Sequence, residues 1–304
     1  MANKINNPHD KFFKSFIYKK ENAIDFLKVF LPGKLVQNID FSTLTIENTS
    51  FIPDSLNEIF SDAIFKCKLK EDEKEFFISI LIEHKSYPDK YIAIQLLNYI
   101  TNAYLEQLKS SDQFNLVIPF IYYHGKENWT YKPLSDIIDG LPDYLKGYAP
   151  SFDTIFIDLN RMSEGALQKI NNIMLLSALY MQKFSFNEDI LIARITDILS
   201  FGEKVDNNDW NFIRNIFVYF NELVEIDVAS LKSIIEGLPQ NTKKEIMTTY
   251  QKIKQEGRRE GRQEGVKKGV INLFKNKFSI IQIAEIMELS TDQVTDILKR
   301  NQLI

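Results

Sequence analysis

The stretch from Ser61 to Lys85 constrains the fold more than any other, because it sets two strand-forming runs around a turn too charged to bury. Asp62 to Leu69 alternates in character, and Phe76 to Ile82 is almost wholly apolar before it ends in Glu83, His84 and Lys85. Between them, Glu71 to Glu75 is charged at every position. The pattern predicts a β-hairpin. A hairpin symmetric about Asp72 and Glu73 sets Asp62 opposite Glu83, with Cβ atoms roughly 5 Å apart. Lys85, two residues on, falls on the same face, and His84 points to the other. Pairing Asp54 of the Pro53-Asp54 dipeptide with Glu83 would centre the turn between residues 68 and 69, inside the strand, so Asp62 is the better partner. Two carboxylates and an ammonium at the end of a buried strand make a poor core. They suit a divalent cation that polarises a water beside a phosphate. Asp62 and Glu83 are read as near-surface carboxylates whose removal would relieve mutual repulsion.

The hairpin sits in a longer alternation. Asp10 to Ile17 and Glu21 to Leu31 have helical apolar spacing, stopped by Pro32-Gly33. A short strand is expected around Leu44 to Glu47. After Pro88-Asp89, Tyr91 to Lys109 reads as a helix with Ile94, Leu97, Leu105 and Leu108 at helical spacing. Gln95 and Tyr99 lie one turn apart on it, and Gln95 is placed either to reach the site or to sit on a polar helix face. Strands are expected over Phe114 to Tyr123 and Thr154 to Asp158. The order of helix, three strands, helix and two strands predicts a mixed sheet with flanking helices. From Glu164 to Tyr250 every apolar run has helical spacing, with Asp209 a helix N-cap. Residues 255–269 repeat glycine every fourth position, at Gly257, Gly261, Gly265 and Gly269. On a helix these form a stripe drifting about 40° per repeat, at a cost of about 1 kcal/mol per glycine relative to alanine. Two short helices joined at Leu289-Ser290, with Ser290 as N-cap, complete a helix-turn-helix-like pair. The expected division is an α/β core over 1–163, a helical lobe over 164–250 and a helical tail over 251–304.

Composition removes several classes. With 44% hydrophobic and 26% charged residues, the chain is ordinary globular protein. It lacks the roughly 18-residue apolar run of a membrane span and an apolar N-terminal leader, so the expectation is a cytoplasmic protein without membrane contact. One cysteine, Cys67, excludes an internal disulfide and a cysteine-rich zinc site. His9, His84 and His124 include no pair at i, i+4 spacing, which argues against histidine ligation of a metal. Neither a Walker loop nor GxGxxG is present. From Thr249 onward there are 11 Lys/Arg against 7 Asp/Glu, and before it 26 against 34. A mildly basic tail on an acidic body is compatible with nucleic-acid contact or with a solvated helix.

The αβββαβ order with Asp62 and Glu83-x-Lys85 resembles the PD-(D/E)XK, or restriction-endonuclease-like, nuclease fold. Further stretches extend the likeness: His9 to Lys14, Ala23 to Lys28, Phe30 to Pro32, Ser61-Asp62, Leu81 to Ser86, and Tyr122 to Gly125 with Trp129. They resemble the recombination-promoting nuclease family, also called the Rpn or YhgA-like transposases, over most of the chain and least from about 165 to 245. Many members carry Glu-His-Gln where this chain has Glu-His-Lys, and the difference restores the general superfamily pattern. The resemblance implies a metal-dependent DNA endonuclease linked to recombination and, in bacteria, to defence against foreign DNA. It implies Mg²⁺, with Mn²⁺ as a substitute, held by Asp62, Glu83 and the His84 carbonyl. Lys85 would orient the attacking water or neutralise developing charge, and Asp10 or Glu21 is a candidate extra carboxylate; Gln95 is counted with the catalytic residues from its place on the helix after the strand. DNA is the implied partner, and a homo-oligomer, most simply a dimer, is expected through residues 250–304. The rival expectation is a non-catalytic DNA-binding or assembly protein that keeps the fold and reads DNA with residues 278–300.

Overall fold

The computed structural model describes residues 6–47, 63–70, 77–110, 114–201 and 209–304. Asp62, the Pro53-Asp54 dipeptide and the Glu71 to Glu75 turn lie outside the described residues. The chain divides into two compact units, Asn7–Lys243 and a C-terminal one over Lys244–Ile304.

The first unit is built on a five-stranded mixed sheet: β1 Ile39–Glu47, β2 Ala63–Leu69, β3 Phe77–Lys85, β4 Leu116–Tyr123 and β5 Ile155–Asp158, in that spatial order. β2 pairs antiparallel with β1 and β3, and β3, β4 and β5 run parallel. The β2–β3 register, from Lys68↔Phe77 to Ala63↔Ile82, is the one symmetric about Asp72 and Glu73. Residue 68, where pairing with Asp54 would need a turn, is strand. β1 is longer than the sequence suggests because it crosses an irregularity between Asp40 and Thr45, where the Thr43 hydroxyl accepts the Lys68 N–H at 2.9 Å.

Strand alternation sorts the sheet into two faces. On one face, α1 (Pro8–Ile17) and α2 (Lys20–Phe30) cover the even-numbered residues of β3 and β4. Phe13 stacks on His84 with ring centroids 4.6 Å apart, and Phe26 meets Phe120 and Tyr122 at 5.9 and 5.1 Å. On the other face, the crossover helix α4 (Ile92–Ser110) packs Ile92, Leu96 and Tyr99 on Leu81, Val117, Ile121 and Tyr123. The helix expected over Tyr91 to Lys109 is present, but the apolar residues singled out for it are not the ones that meet the sheet. Ile94, Leu105 and Leu108 are about half exposed, and the buried stripe is Ile92, Leu96 and Tyr99. α4 opens Ile-Ala-Ile-Gln-Leu-Leu, apolar on several sides, so its own periodicity leaves open which side meets the sheet.

After α3 (Gly33–Asn38), which follows Pro32, and α5 (Leu134–Ile137), the remainder of this unit is helical: α6 Glu164–Leu167, α7 Ile173–Lys183, α8 Glu188–Ser200, α9 Trp210–Leu223 and α10 Val228–Glu236. Asn172, Asn187, Asp209 and Asp227 each cap a helix through a side-chain oxygen. α7 is buried from Ser177 through Gln182 without a break, so its polar members must find partners inside.

In the second unit the glycine repeat lies within one helix, α11 (Gln240–Lys275), followed by α12 (Ile280–Met287) and α13 (Thr291–Arg300). Ser279 and Ser290 each make a reciprocal capping box. Val270, Ile283, Ala284, Val294 and Leu298 form a small core. Gly269 has a reason inside the chain: a Cβ there would lie 2.6 Å from Met287 Cε, so its absence lets α12 close on α11. At Gly261 and Gly265 a Cβ would meet nothing within 4 Å. No described helix is long and apolar enough to cross a membrane.

Candidate active site

β3 delivers Glu83 and Lys85 to the α4 side of the sheet, at its C-terminal end and beside Ile121 and Tyr123 of β4. Both are buried, Glu83 at 5% exposure and Lys85 at 8%. The Lys85 ammonium lies 3.2 Å from Glu83 Oε1, donates to Asp89 Oδ2 at 3.2 Å, and donates to Gln95 Oε1 at 2.9 Å. The Gln95 amide nitrogen donates to Glu83 Oε1 at 3.0 Å and to the Tyr99 hydroxyl. Gln95 thus holds the carboxylate with one end and the ammonium with the other. Burial lowers the Lys85 pKa, but the charges of Glu83 and Asp89 and their hydrogen bonds outweigh it and lift the pKa above the ordinary lysine value. The group is an ammonium at neutral pH.

Of the residues expected to form the site, the structure brings together Glu83, Lys85 and Gln95. Asp62 lies outside the described residues; the pairing observed nearest to it is Ala63↔Ile82, one position short of Glu83. One expectation is corrected. Glu83 is buried and ion-paired, so removing it takes one of two counter-charges from a buried ammonium instead of relieving repulsion. The helices that carry Asp10 and Glu21 pack on the opposite face of the sheet; Asp10 pairs with Lys14 at 3.1 Å, and Glu21 is exposed on α2. Among the described residues, no three His, Cys, Asp or Glu side chains are grouped to hold a metal ion.

Asp89 is a site residue that the sequence reading treated only as a helix start. Its Oδ1 accepts the Tyr91 N–H at 2.9 Å while Oδ2 takes the Lys85 ammonium. An Asp at the mouth of a helix four residues after a strand-end lysine was the available signal. Asp89→Ala is expected to cost about 1 kcal/mol for the lost hydrogen bond to the Tyr91 N–H and to slow any reaction that depends on a fixed Lys85. Urea denaturation together with activity checks this, and an Asp89→Ala protein unchanged in both would remove Asp89 from the site.

The His84 side chain lies on the far face, as strand alternation requires, and there begins a chain of three histidines in which His124 sits between His84 and His9. His84 and His124 stack at 4.9 Å, and His124 and His9 meet at 5.1 Å. Gln182 of α7 ties them down: its oxygen accepts the Tyr122 hydroxyl at 2.9 Å and its nitrogen lies 3.2 Å from His84 Nε2. The cluster stacks His84 on His124 and sets His9 at a tilt to His124, and it is a packing device. It was invisible in sequence because its members come from α1, β3 and the end of β4.

A mixed sheet that buries an acid, a lysine and a glutamine in mutual contact at a strand end defines an α/β protein with a charged strand-end site. Residues 7–209 match the family model described as putative transposase, YhgA-like, and the chain belongs to that family. It is 29% identical over 261 residues to the inactive recombination-promoting nuclease-like protein RpnE of Escherichia coli (strain K12), spanning 83% of each chain. It is 29% identical over 259 residues to the recombination-promoting nuclease RpnA of the same strain, covering 82% of this chain and 84% of that one. With the recombination-promoting nuclease RpnC of that strain it shares 35% identity over 120 residues, 39% of each chain. No solved structure matches the chain significantly.

Proposed function

We propose that this protein is a metal-dependent DNA endonuclease of the PD-(D/E)XK type, acting in recombination and in defence against foreign DNA. The observation that carries the reading is the buried Glu83–Lys85 pair at the end of β3, clamped by Gln95 and Asp89. The donor chemistry fits a hard cation: Glu83, the His84 carbonyl and Asp62 as second carboxylate are all oxygen ligands, which suit Mg²⁺ with Mn²⁺ in its place. When bound, such an ion acidifies a water and offsets charge on the phosphate. Lys85, held as an ammonium, is no general base. It donates to the attacking water or a phosphate oxygen, exchanging one of its three present partners as substrate arrives. Gln95 keeps the Glu83 carboxylate turned toward Lys85.

Lys85→Ala is expected to lose more cleavage than Lys85→Gln, because an amide retains a donor for the water while alanine offers none. Equal loss in a plasmid assay would mean that the charge itself is required.

The rival reading, a non-catalytic DNA-binding protein using residues 278–300, draws support from the relative whose name includes inactive. Plasmid nicking with Mg²⁺ and with chelator separates the two. Nicking that needs the ion and is lost in the site variants supports the endonuclease. Its absence with Mg²⁺ and Mn²⁺ supports the rival.

The tail is proposed to join two copies along the glycine stripe, supported by the open space at Gly261 and Gly265. If backbones approach there, Gly261→Ala destabilises the protein, despite the roughly 1 kcal/mol that alanine gains in an isolated helix. A rise in stability by that amount, or a monomer in light scattering, ends this idea.

A further inference from the structure

Two tyrosines flank the buried site and face solvent. Tyr87 is 62% exposed and Tyr91 58%, while the tyrosines of the adjoining core, Tyr99, Tyr122 and Tyr123, are at most 3% exposed. Tyr144 and Tyr148 are more exposed still, at 80% and 86%, so what sets Tyr87 and Tyr91 apart is their place in the short segment that follows Lys85. Their segment is not a loose loop. Asp89 accepts the Tyr91 N–H with one oxygen and the Lys85 ammonium with the other, so the backbone bearing Tyr91 is tied to the site lysine. At Gly125 any side chain would collide with the Ser86 carbonyl, and its absence lets the segment close on the end of β4. Each ring also carries a cation: Lys85 Nζ lies 5.9 Å from the Tyr87 centroid and Lys90 Nζ 5.4 Å from that of Tyr91.

We propose that Tyr87 and Tyr91 form a stacking platform for unpaired nucleobases of a DNA strand whose phosphate sits at Lys85. This rests on the nuclease reading of the site and names its substrate class: DNA that is single-stranded, gapped or frayed where it is cut. Aromatic faces flanked by ammonium groups match a nucleotide in both parts, ring to base and cation to phosphate. A nucleotide held by phosphate at Lys85 carries its base within reach of a ring 5.9 Å from that nitrogen. In an intact duplex the base faces are already stacked on their neighbours, so the platform has nothing to bind. Base stacking on a protein ring holds for any sequence, because every base has a π-face.

The test uses the full chain, with fluorescence anisotropy in chelator to hold cleavage back. The probes are a labelled DNA single strand, the blunt duplex of that sequence, and the RNA strand. Tyr87→Ala and Tyr91→Ala are each expected to weaken single-strand binding about tenfold. Tyr87→Phe and Tyr91→Phe should bind as the wild type does, and duplex affinity should stay level. The proposal is overturned if the alanine variants bind the single strand normally, if phenylalanine loses as much as alanine, or if duplex binding falls equally. RNA bound as tightly as DNA would overturn the assignment to DNA. Parallel Mg²⁺ assays on gapped and intact plasmid separate this proposal from the nuclease reading. A wild type that cuts nothing but binds single strands in a ring-dependent way refutes only the nuclease reading and leaves the platform standing. A wild type that cuts while the alanine variants cut gapped DNA with unchanged KM refutes the platform alone.

Discussion

Glu83→Gln is expected to lower Mg²⁺-dependent DNA cleavage at least about a hundredfold while the protein stays folded. Glutamine is close in shape, and its amide oxygen can still accept from Lys85, which also keeps Asp89 and Gln95. What it loses is the negative charge that a divalent cation requires. Glu83→Ala should lose as much activity but for two reasons. It also empties a site 5% exposed and removes the oxygen that Lys85 and Gln95 both reach, an acceptor that Glu83→Gln keeps, and buried donors left without a partner cost about 1–3 kcal/mol. The two variants therefore agree in a plasmid nicking assay and differ in urea denaturation. Full activity in Glu83→Gln would remove Glu83 from the site, and that variant carries the test if Glu83→Ala fails to fold. Equal stability in the two would mean that the pair is not buried in solution as it is here.

The hairpin register was legible because a charged turn between two strand runs leaves one symmetric solution, and Ala63↔Ile82 obeys it. Gln95 was legible as a candidate because it begins one turn into a helix that follows the strand carrying Glu83. Asp89 was hidden by its second role, since an Asp after proline at a helix start is already explained as a cap. The buried side of α4 was hidden because Ile94 is as apolar as Ile92, and only the sheet decides which is covered. Gly269 and its three predecessors look alike in sequence. The structure separates them, because Met287 approaches Gly269 while the space at Gly261 and Gly265 is open. The histidine cluster was the largest omission. His9, His84 and His124 carry no shared local pattern, and their meeting depends on α1, β3, β4 and α7 all being in place.

That cluster sets an expected acid sensitivity. Burial depresses the His9 pKa to about 4 and the His84 pKa to about 3, and holds that of His124 well below the usual histidine range. Positive charge on His9 would also oppose charge on His84 and His124, as charge on His84 would at His124, and Lys14 and Lys85 add to this at His84. The fold thus keeps all three neutral. Above the unfolded value of about 6.5 neither state binds the proton, and the full stability is present. As pH falls below that value the unfolded chain takes up protons that the folded chain refuses, so stability is lost through the window from about 6.5 down toward about 4 for His9. The limiting slope is about 1.4 kcal/mol per pH unit for each histidine. Carboxylates with ordinary values titrate near or below about pH 4.3, so the upper part of this window reports mainly the histidines. Urea midpoints measured between about pH 7 and pH 5 should fall steeply. In His9→Gln, which removes one titrating ring but keeps an amide near the Tyr219 hydroxyl that now lies 2.6 Å from His9 Nδ1, the slope should drop by the share of one histidine. Stability that stays level across that interval in the wild type, or a slope that His9→Gln leaves untouched, would show that these rings are not held neutral by the fold.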